Sequence, residues 1–159
     1  MTDSFRACVI VASTRAATGV YADRSGPILA ESLAQLGFTV SPVIVVPDGD
    51  PVGAALREAV GEHDVVLTSG GTGITPTDVT PQQTAPLLDY QVPQIPAEIA
   101  RFGVQKGVPT ALLSRGLAGV AGRALVINLP GSSGGVRDAM EVLAPILPHA
   151  VSQLRGGDH

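Results

Sequence analysis

A run of glycines and hydroxyl residues between positions 68 and 73 has the composition of an anion-binding loop. Consecutive glycines let backbone N–H groups approach an anion closely, and the hydroxyls add donors, so the run suits phosphate. It is not a P-loop, because no Gly-Lys-Ser/Thr follows, and Pro76 stands where a dinucleotide fingerprint has its third glycine. A tight strand-to-loop turn is the equal alternative on the residues alone. The run consists of Thr68, Ser69, Gly70, Gly71, Thr72 and Gly73.

Two aspartates stand near strand ends on either side of this run. Asp48 follows the second predicted strand, and Asp78 comes shortly after the glycines. If the two strands are neighbours in a sheet, both carboxylates face one pocket, where paired carboxylates beside phosphate donors suit Mg²⁺. The alternative is that Asp48 stabilises a turn and Asp78 has a local capping role.

A second motif is a glycine-rich turn over residues 131–135, which has the G-x-S-x-G form of a nucleophile elbow with Ser133 at its centre. No further strand follows to carry an acid partner, so Asp138 and His149 would have to complete a triad from adjoining helical segments. A helix N-terminus that binds an anion is the preferred interpretation of this turn. A serine hydrolase that uses Ser133 is kept as an alternative.

Ser114 and Arg115 follow another predicted strand. Arginine can hold a phosphate through two parallel hydrogen bonds, so Arg115 is a candidate phosphate ligand. An exposed arginine with no ligand is the equal alternative.

Strands and helices must position these motifs, and the two alternate along the chain. Aliphatic runs predict the strands, and apolar residues at helical spacing predict helices between them. Asp50 is predicted to cap the helix that follows the second strand, and residues 80–83 fit a capping box. The predicted strands cover residues 7–12, 38–46, 64–68, 109–113 and 124–129.

This alternation predicts an α/β fold with a mainly parallel sheet, formed by a single domain over residues 1–154 and followed by a flexible tail, 155–159. In such sheets ligands bind beyond the carboxyl ends of the strands. The three glycine-rich turns follow Ala12, Thr68 and Leu129, which all lie at such ends.

Composition narrows the classes of function. The net charge is −4 with one lysine among ten basic residues, so nucleic acid is an unexpected partner. A single cysteine, Cys8, precludes an intramolecular disulfide and a cysteine-cluster zinc site. No apolar run approaches the roughly 18–20 residues of a membrane span, and the start of the chain does not predict a signal peptide. The expected location is the cytoplasm, without a membrane partner. Charged residues make up only 15%, which agrees with surface buried between subunits.

Taken in order, the motifs resemble the molybdenum-cofactor biosynthesis family that contains bacterial Mog and MoaB proteins, the gephyrin G domain and plant Cnx G domains. The resemblance covers almost the whole chain. Its matching segments are 23–27 (DRSGP), 46–48 (VPD), 68–73 (TSGGTG), 77–81 (TDVTP), 114–115 (SR) and 128–132 (NLPGS).

The resemblance implies a three-layer α/β sandwich that assembles as a homotrimer. It also implies a molybdopterin adenylyltransferase, which transfers AMP from Mg-ATP to the terminal phosphate of molybdopterin. The family's two key carboxylates, which would also hold Mg²⁺, fall on Asp48 and Asp78. A metal-insertion protein of the same pathway is an implied partner. The implied nucleotide- or pterin-binding residues are the whole run 68–73 with Ser25, Gly26, Ser114, Pro130, Gly131 and Ser132.

Three positions depart from the family pattern. Many relatives have Arg where Thr77 stands, Glu where Gln82 stands, and a second acidic residue where Gly49 follows the first key aspartate. These departures favour, as an alternative, a trimeric molybdopterin-binding protein of the same pathway without efficient adenylation.

Overall fold

Residues 4–157 are described by a computed structural model, and within them a seven-stranded sheet forms the centre. Its strands are β1 (Arg6–Ala12), β2 (Thr39–Val40), β3 (Ile44–Val46), β4 (Val65–Ser69), β5 (Tyr90–Gln91), β6 (Ala118–Ala121) and β7 (Ala124–Leu129). The strand order is β2-β1-β4-β7-β6-β5, and β3 pairs with the end of β1 beyond β2. β1, β2, β3, β4 and β7 are parallel, whereas β5 and β6 are antiparallel to their neighbours. The prediction of a mainly parallel sheet is confirmed.

Seven α-helices accompany the sheet in the described part of the chain. They are α1 (Thr14–Ala17), α2 (Ser25–Gln35), α3 (Asp50–Val60), α4 (Thr80–Thr84), α5 (Gln94–Gln105), α6 (Ser133–Leu143) and α7 (Leu147–Leu154). Short 3₁₀ helices cover Ala85–Leu87 and Pro109–Leu113. None of the helices within 4–157 is both long and apolar enough to cross a membrane.

Helices cover both faces of the sheet, as the alternation of side chains along β1 requires. Val9 and Val11 belong to a core shared with α2, α6 and α7. Cys8 and Ile10 point the other way, into a second core with α3. The central strands are therefore buried on both sides, which explains their continuous aliphatic sequences. The three-layer α/β sandwich is confirmed.

Two of the strand predictions need correction. The predicted strand over 38–46 is two short strands, because Pro42 has no N–H to donate and the chain leaves the ladder there. The prediction of a strand over 109–113 is wrong: that segment is a 3₁₀ helix with Leu112 70% exposed, so its apolar residues do not mark a buried strand. β5 and β6 escaped prediction because β5 has two residues and β6 consists of small ones.

Both predicted helix caps are also wrong. Gly49, with φ of +100°, occupies the N-cap of α3, and Asp50 is the first helical residue. The N-cap of α4 is Val79, and no side chain caps that helix. Thr80 therefore does not act as the first residue of a capping box.

An ion pair between the exposed Arg155 and the buried Asp64 links the C-terminal end of the described chain to the region beside the start of β1. The Arg155 guanidinium donates to both carboxylate oxygens of Asp64 at 2.8 Å, and its Cζ lies 4.7 Å from the centre of the Phe5 ring. The backbone N–H of Arg6 donates to the same carboxylate at 2.8 Å. The flexible tail over 155–159 stays a prediction, and Asp158 and His159 lie outside the described residues.

Cys8 offers a direct test of how tightly the central strand is covered. Its side chain is fully buried, and this burial raises the pKa of the thiol to about 11. At pH 8 only about one thiol in a thousand would then be ionised in the native protein. We expect iodoacetamide to leave Cys8 unmodified in native protein at pH 8 and to label it fully in guanidinium chloride. Labelling of the native protein at the rate of a free thiol would contradict this packing.

Candidate active site

A cavity of about 910 Å³ opens at the carboxyl ends of the parallel strands. It brings together the ends of β1, β3 and β4 and the starts of α2 and α6, which are distant in sequence. The side chains of both aspartates proposed from the sequence line it. The predicted site residues in its wall are Ser25, Asp48, Ser69, Gly70, Gly71, Asp78, Gly131 and Ser132.

A second cavity, of about 420 Å³, lies on the other side of the glycine-rich loop. It is more apolar, with Pro96, Ile99 and Leu113 in its wall. Gly131 and Ser132 line both cavities, so the two spaces share one wall. The predicted site residues in the second cavity are Thr72, Gly73, Ser114, Pro130, Gly131 and Ser132.

Gly70 and Gly71 turn the chain sharply away from β4. Their φ angles are +97° and +68°, a region that glycine adopts without strain. A β-carbon at Gly70 would clash with the backbone carbonyl oxygen of Ala12, at the end of the neighbouring strand. Close approach of two strand ends, together with positive φ, explains why this turn is made of glycine.

Both aspartates lie against this loop and are held by local hydrogen bonds. Asp48 Oδ2 accepts from the Thr14 hydroxyl at 3.1 Å and from the Thr14 N–H at 3.3 Å. Asp78 Oδ2 accepts from the Thr75 N–H at 3.1 Å. A β-carbon at Gly73 would lie 2.8 Å from Asp78 Oδ2, so the absence of a side chain there leaves room for the carboxylate. Both carboxylates keep oxygens available to the cavity.

Thr68 and Ser69, the last two residues of β4, connect this strand to neighbouring elements through their hydroxyl groups. Ser69 is fully buried, and its hydroxyl donates to the Pro130 carbonyl at 2.8 Å and lies 3.0 Å from Ser25 Oγ. It thereby links the end of β4 to the start of α2 and the end of β7. Thr68 corrects the sequence prediction: its hydroxyl is buried in the core, accepts from Asn128 Nδ2 at 2.9 Å and lines neither cavity.

Gly26 also stands outside both cavity walls. Its N–H donates to Asp23 Oδ1 at 3.1 Å, and a β-carbon at this position would clash with the Asp23 carboxylate. Gly26 therefore shapes the first turn of α2, whose preceding residues Asp23 and Arg24 do line the larger cavity.

Arg115 has a role that neither interpretation of the sequence included. Its side chain donates from Nε to the Gly73 carbonyl at 2.9 Å and from Nη2 to the Asp78 carbonyl at 2.6 Å. Nη1 donates to Gln82 Oε1 at 3.2 Å, and the backbone N–H donates to the Thr72 carbonyl at 2.7 Å. The guanidinium is committed to the protein, so Arg115 fixes the loop that carries Asp78.

We expect Arg115→Lys to loosen this loop while it preserves the charge. An ammonium cannot span the carbonyls of Gly73 and Asp78 in the fork geometry of a guanidinium. Loss of two hydrogen bonds should speed amide exchange of Thr75 and Asp78 by roughly tenfold. Hydrogen exchange measures the effect, with Arg101→Lys as the control, because among the described residues the Arg101 side chain pairs only with Glu98 of its own helix. Equal exchange rates in the two variants would contradict the role of Arg115.

The serine-hydrolase alternative gains no support from the geometry. Ser133 is the first residue of α6, and the helix is capped by its neighbour Ser132, whose Oγ accepts from the Gly135 N–H at 3.0 Å. No hydrogen bond joins Ser133 to Asp138 or His149 within the described residues. The turn is the capped start of a helix at the cavity.

The fold and sequence have clear relatives. The Mog protein of Mycobacterium ulcerans has the same fold with a TM-score of 0.92, at 51% identity over 98% of this chain and 99% of that one. A molybdopterin adenylyltransferase of Helicobacter pylori is 36% identical over 93% of this chain and 86% of its own length. A molybdenum cofactor biosynthesis bifunctional protein of Chlorobaculum tepidum is 40% identical over 97% of this chain, which spans half of that relative.

The sequence also matches the family described as a probable molybdopterin binding domain, over residues 8–149. This chain belongs to the Mog/MoaB family. The resemblance drawn from the ordered motifs is confirmed. Two arginines of this Mog/MoaB chain that sequence reasoning left without a role, Arg15 and Arg24, line the larger cavity with Asp48 and Asp78. Arg24 lies in one of the matching segments, which was the available signal for it.

The Mog/MoaB chain offers few protein ligands to a cation. Across residues 4–157, no group of three or more histidine, cysteine, aspartate or glutamate side chains gathers at one point. Asp48 and Asp78 would therefore leave most of a coordination shell to water and substrate oxygens, which is how Mg²⁺ is usually held at phosphate sites.

Proposed function

We propose that this chain is a molybdopterin adenylyltransferase, which transfers AMP from Mg-ATP to the terminal phosphate of molybdopterin. The observation that carries the proposal is the pair of cavities with a shared wall at Gly131 and Ser132. The glycine-rich loop runs between them, with Asp48 and Asp78 beside it. A transfer between two substrates needs two adjoining spaces that meet where the reacting groups lie. Relatives named molybdopterin adenylyltransferase support the same activity.

In the proposed reaction, a terminal phosphate oxygen of molybdopterin attacks the α-phosphorus of ATP. The new P–O bond forms as the bond to the β-phosphate oxygen breaks, and pyrophosphate leaves with that electron pair. Such a transfer needs in-line alignment and neutralised charge more than a covalent nucleophile. The backbone N–H of Gly71 would orient the phosphates, whereas that of Gly70 already donates to the Leu129 carbonyl at 3.0 Å. Arg15 and Arg24, in the cavity wall, would attract the phosphates.

Asp48 and Asp78 are the residues proposed to hold Mg²⁺. Their carboxylates flank the glycines of the loop, and Asp48 Oδ1 accepts no hydrogen bond from residues 4–157, so an oxygen ligand is available there. When bound, Mg²⁺ would neutralise negative charge on the triphosphate and the leaving pyrophosphate. Gln82 keeps a side-chain acceptor for Arg115, so the departure at this position preserves the anchor of the loop.

The proposal extends to assembly and location. Exposed apolar side chains on the 3₁₀ helix Pro109–Leu113, with Leu112 70% exposed, support burial against other subunits in a homotrimer. A stable monomer by light scattering would contradict the trimer. We also propose a cytoplasmic location and, from the family resemblance, docking of a metal-insertion protein.

The test is to incubate purified protein with molybdopterin, ATP and Mg²⁺ and to measure adenylated pterin and pyrophosphate. Both products are expected in equal amounts. Molybdopterin binding without either product would overturn the proposal in favour of the binding-protein alternative, with Thr77 and Gln82 as the first positions to change. Labelling of Ser133 by a fluorophosphonate would instead support the hydrolase.

A further inference from the structure

A buried hydroxyl lies unpartnered behind the glycine-rich loop. Thr80 is the first residue of α4 and only 1% exposed, and its Oγ1 has no hydrogen-bond partner within residues 4–157. The backbone around it does have partners: the Thr80 N–H donates to the Gly71 carbonyl at 3.1 Å, and its carbonyl accepts from the Thr84 hydroxyl at 2.8 Å. Burial of a hydroxyl without a partner lowers stability, so its presence needs a reason.

The direction of this hydroxyl supplies one. A β-carbon at Gly71 would clash with Thr80 Oγ1 and would also lie 3.2 Å from Asp48 Oδ1. The missing side chain of Gly71 thus leaves a gap bordered by both oxygens. Asp48 Oδ2 is taken by Thr14, whereas Oδ1 has no donor among the described residues. The Thr80 hydroxyl, which has no acceptor within residues 4–157, therefore borders the same gap as Asp48 Oδ1, which has no donor there.

We propose that Thr80 is a positioning residue for Asp48, with a hydroxyl that donates to Asp48 Oδ1 when Mg-ATP occupies the larger cavity. This inference rests on the proposed function. Carboxylates that hold a cation are oriented by hydrogen bonds from residues behind them. With Thr14 on Oδ2 and Thr80 on the far side of Gly71, the carboxylate is fixed from two directions and keeps one orientation toward the cation.

Two substitutions separate this role from ordinary packing. Thr80→Val removes the hydroxyl at nearly constant volume, and Thr80→Ser keeps it. Binding of Mn²⁺ in the presence of ATP, followed by electron paramagnetic resonance, reports on the cation directly and without turnover. We expect Thr80→Val to weaken Mn²⁺ binding by on the order of tenfold, as for one lost hydrogen bond to a charged group. Thr80→Ser should retain wild-type affinity.

Stability supplies the second measurement. Thr80→Val should unfold at or above the wild-type temperature without ligand, because the hydroxyl that it removes is unpartnered. Thr84→Val is the contrast: Thr84 is equally buried, but its hydroxyl donates to the Thr80 carbonyl and accepts from Asn128 Nδ2 at 3.0 Å. Thr84→Val should therefore lower the unfolding temperature.

The outcomes are distinct. Wild-type Mn²⁺ affinity in Thr80→Val, or an unfolding temperature lowered as in Thr84→Val, overturns the role of Thr80 and leaves the proposed function standing. Wild-type protein that neither binds Mn²⁺ with ATP nor forms adenylated pterin overturns the proposed function and this inference together.

Discussion

Asp78→Asn is expected to reduce adenylation by on the order of 10²–10³-fold, because it removes one of the two carboxylates beside the glycine-rich loop. The amide is nearly isosteric, and its oxygen can still accept the Thr75 N–H that now bonds to Asp78 Oδ2. The fold and the binding of molybdopterin should therefore persist. Turnover of molybdopterin and ATP measures the loss in kcat.

The matched control for this substitution is Asp89→Asn. Asp89 is an exposed aspartate that also accepts a backbone N–H, from Gly122 at 2.8 Å, and it lines neither cavity. The Asp89→Asn variant should form adenylated pterin at the wild-type rate. Unchanged turnover in Asp78→Asn would show that this carboxylate has no part in the reaction.

Gly70→Ala is expected to have the second large effect, on stability and substrate binding together. The new β-carbon would meet the Ala12 carbonyl oxygen, and both partners are backbone at strand ends, where neither can move freely. Clash and positive φ together should cost about 2–5 kcal/mol of unfolding free energy. Denaturant unfolding measures this cost, and titration with Mg-ATP measures the accompanying loss of affinity.

Gly37→Ala separates the clash from the backbone strain. Gly37 has the same φ of +97°, at the end of α2, but a β-carbon there would meet no atom within 4 Å. It should cost about 1–2 kcal/mol and leave Mg-ATP affinity unchanged. Equal losses in the two alanine variants would mean that close approach to Ala12 does not matter.

The central strands could be predicted because they are buried on both faces. Continuous aliphatic runs identified β1, β4 and β7, and the glycine-rich turns at their ends placed the cavity at the correct edge of the sheet. The antiparallel edge strands β5 and β6 could not be predicted, because they are too short and too poor in branched residues to give a recognisable pattern. The apolar run at 109–113 gives a strand-like pattern without being a strand, because its leucines are exposed on a 3₁₀ helix.

Within the site, residue type and chain position predicted which turns meet but not which atoms face the cavity. Asp48 and Asp78 line the larger cavity as expected, whereas Thr68 points into the core to meet Asn128. Arg115 could be seen as a phosphate ligand or a surface residue from sequence, because its actual acceptors are backbone carbonyls brought near only by folding. Hydrogen bonds from a side chain to distant backbone carbonyls leave no pattern in the amino-acid sequence.

The central claim is that AMP passes from ATP to molybdopterin on this chain. The most direct measurement uses ATP radiolabelled at the α-phosphate, with protein in excess over molybdopterin, and follows the label into the pterin fraction in one turnover. The expected result is label on the pterin in proportion to pyrophosphate released, and none when the label is at the γ-phosphate. Protein that binds molybdopterin while the α-label stays in ATP would contradict the claim.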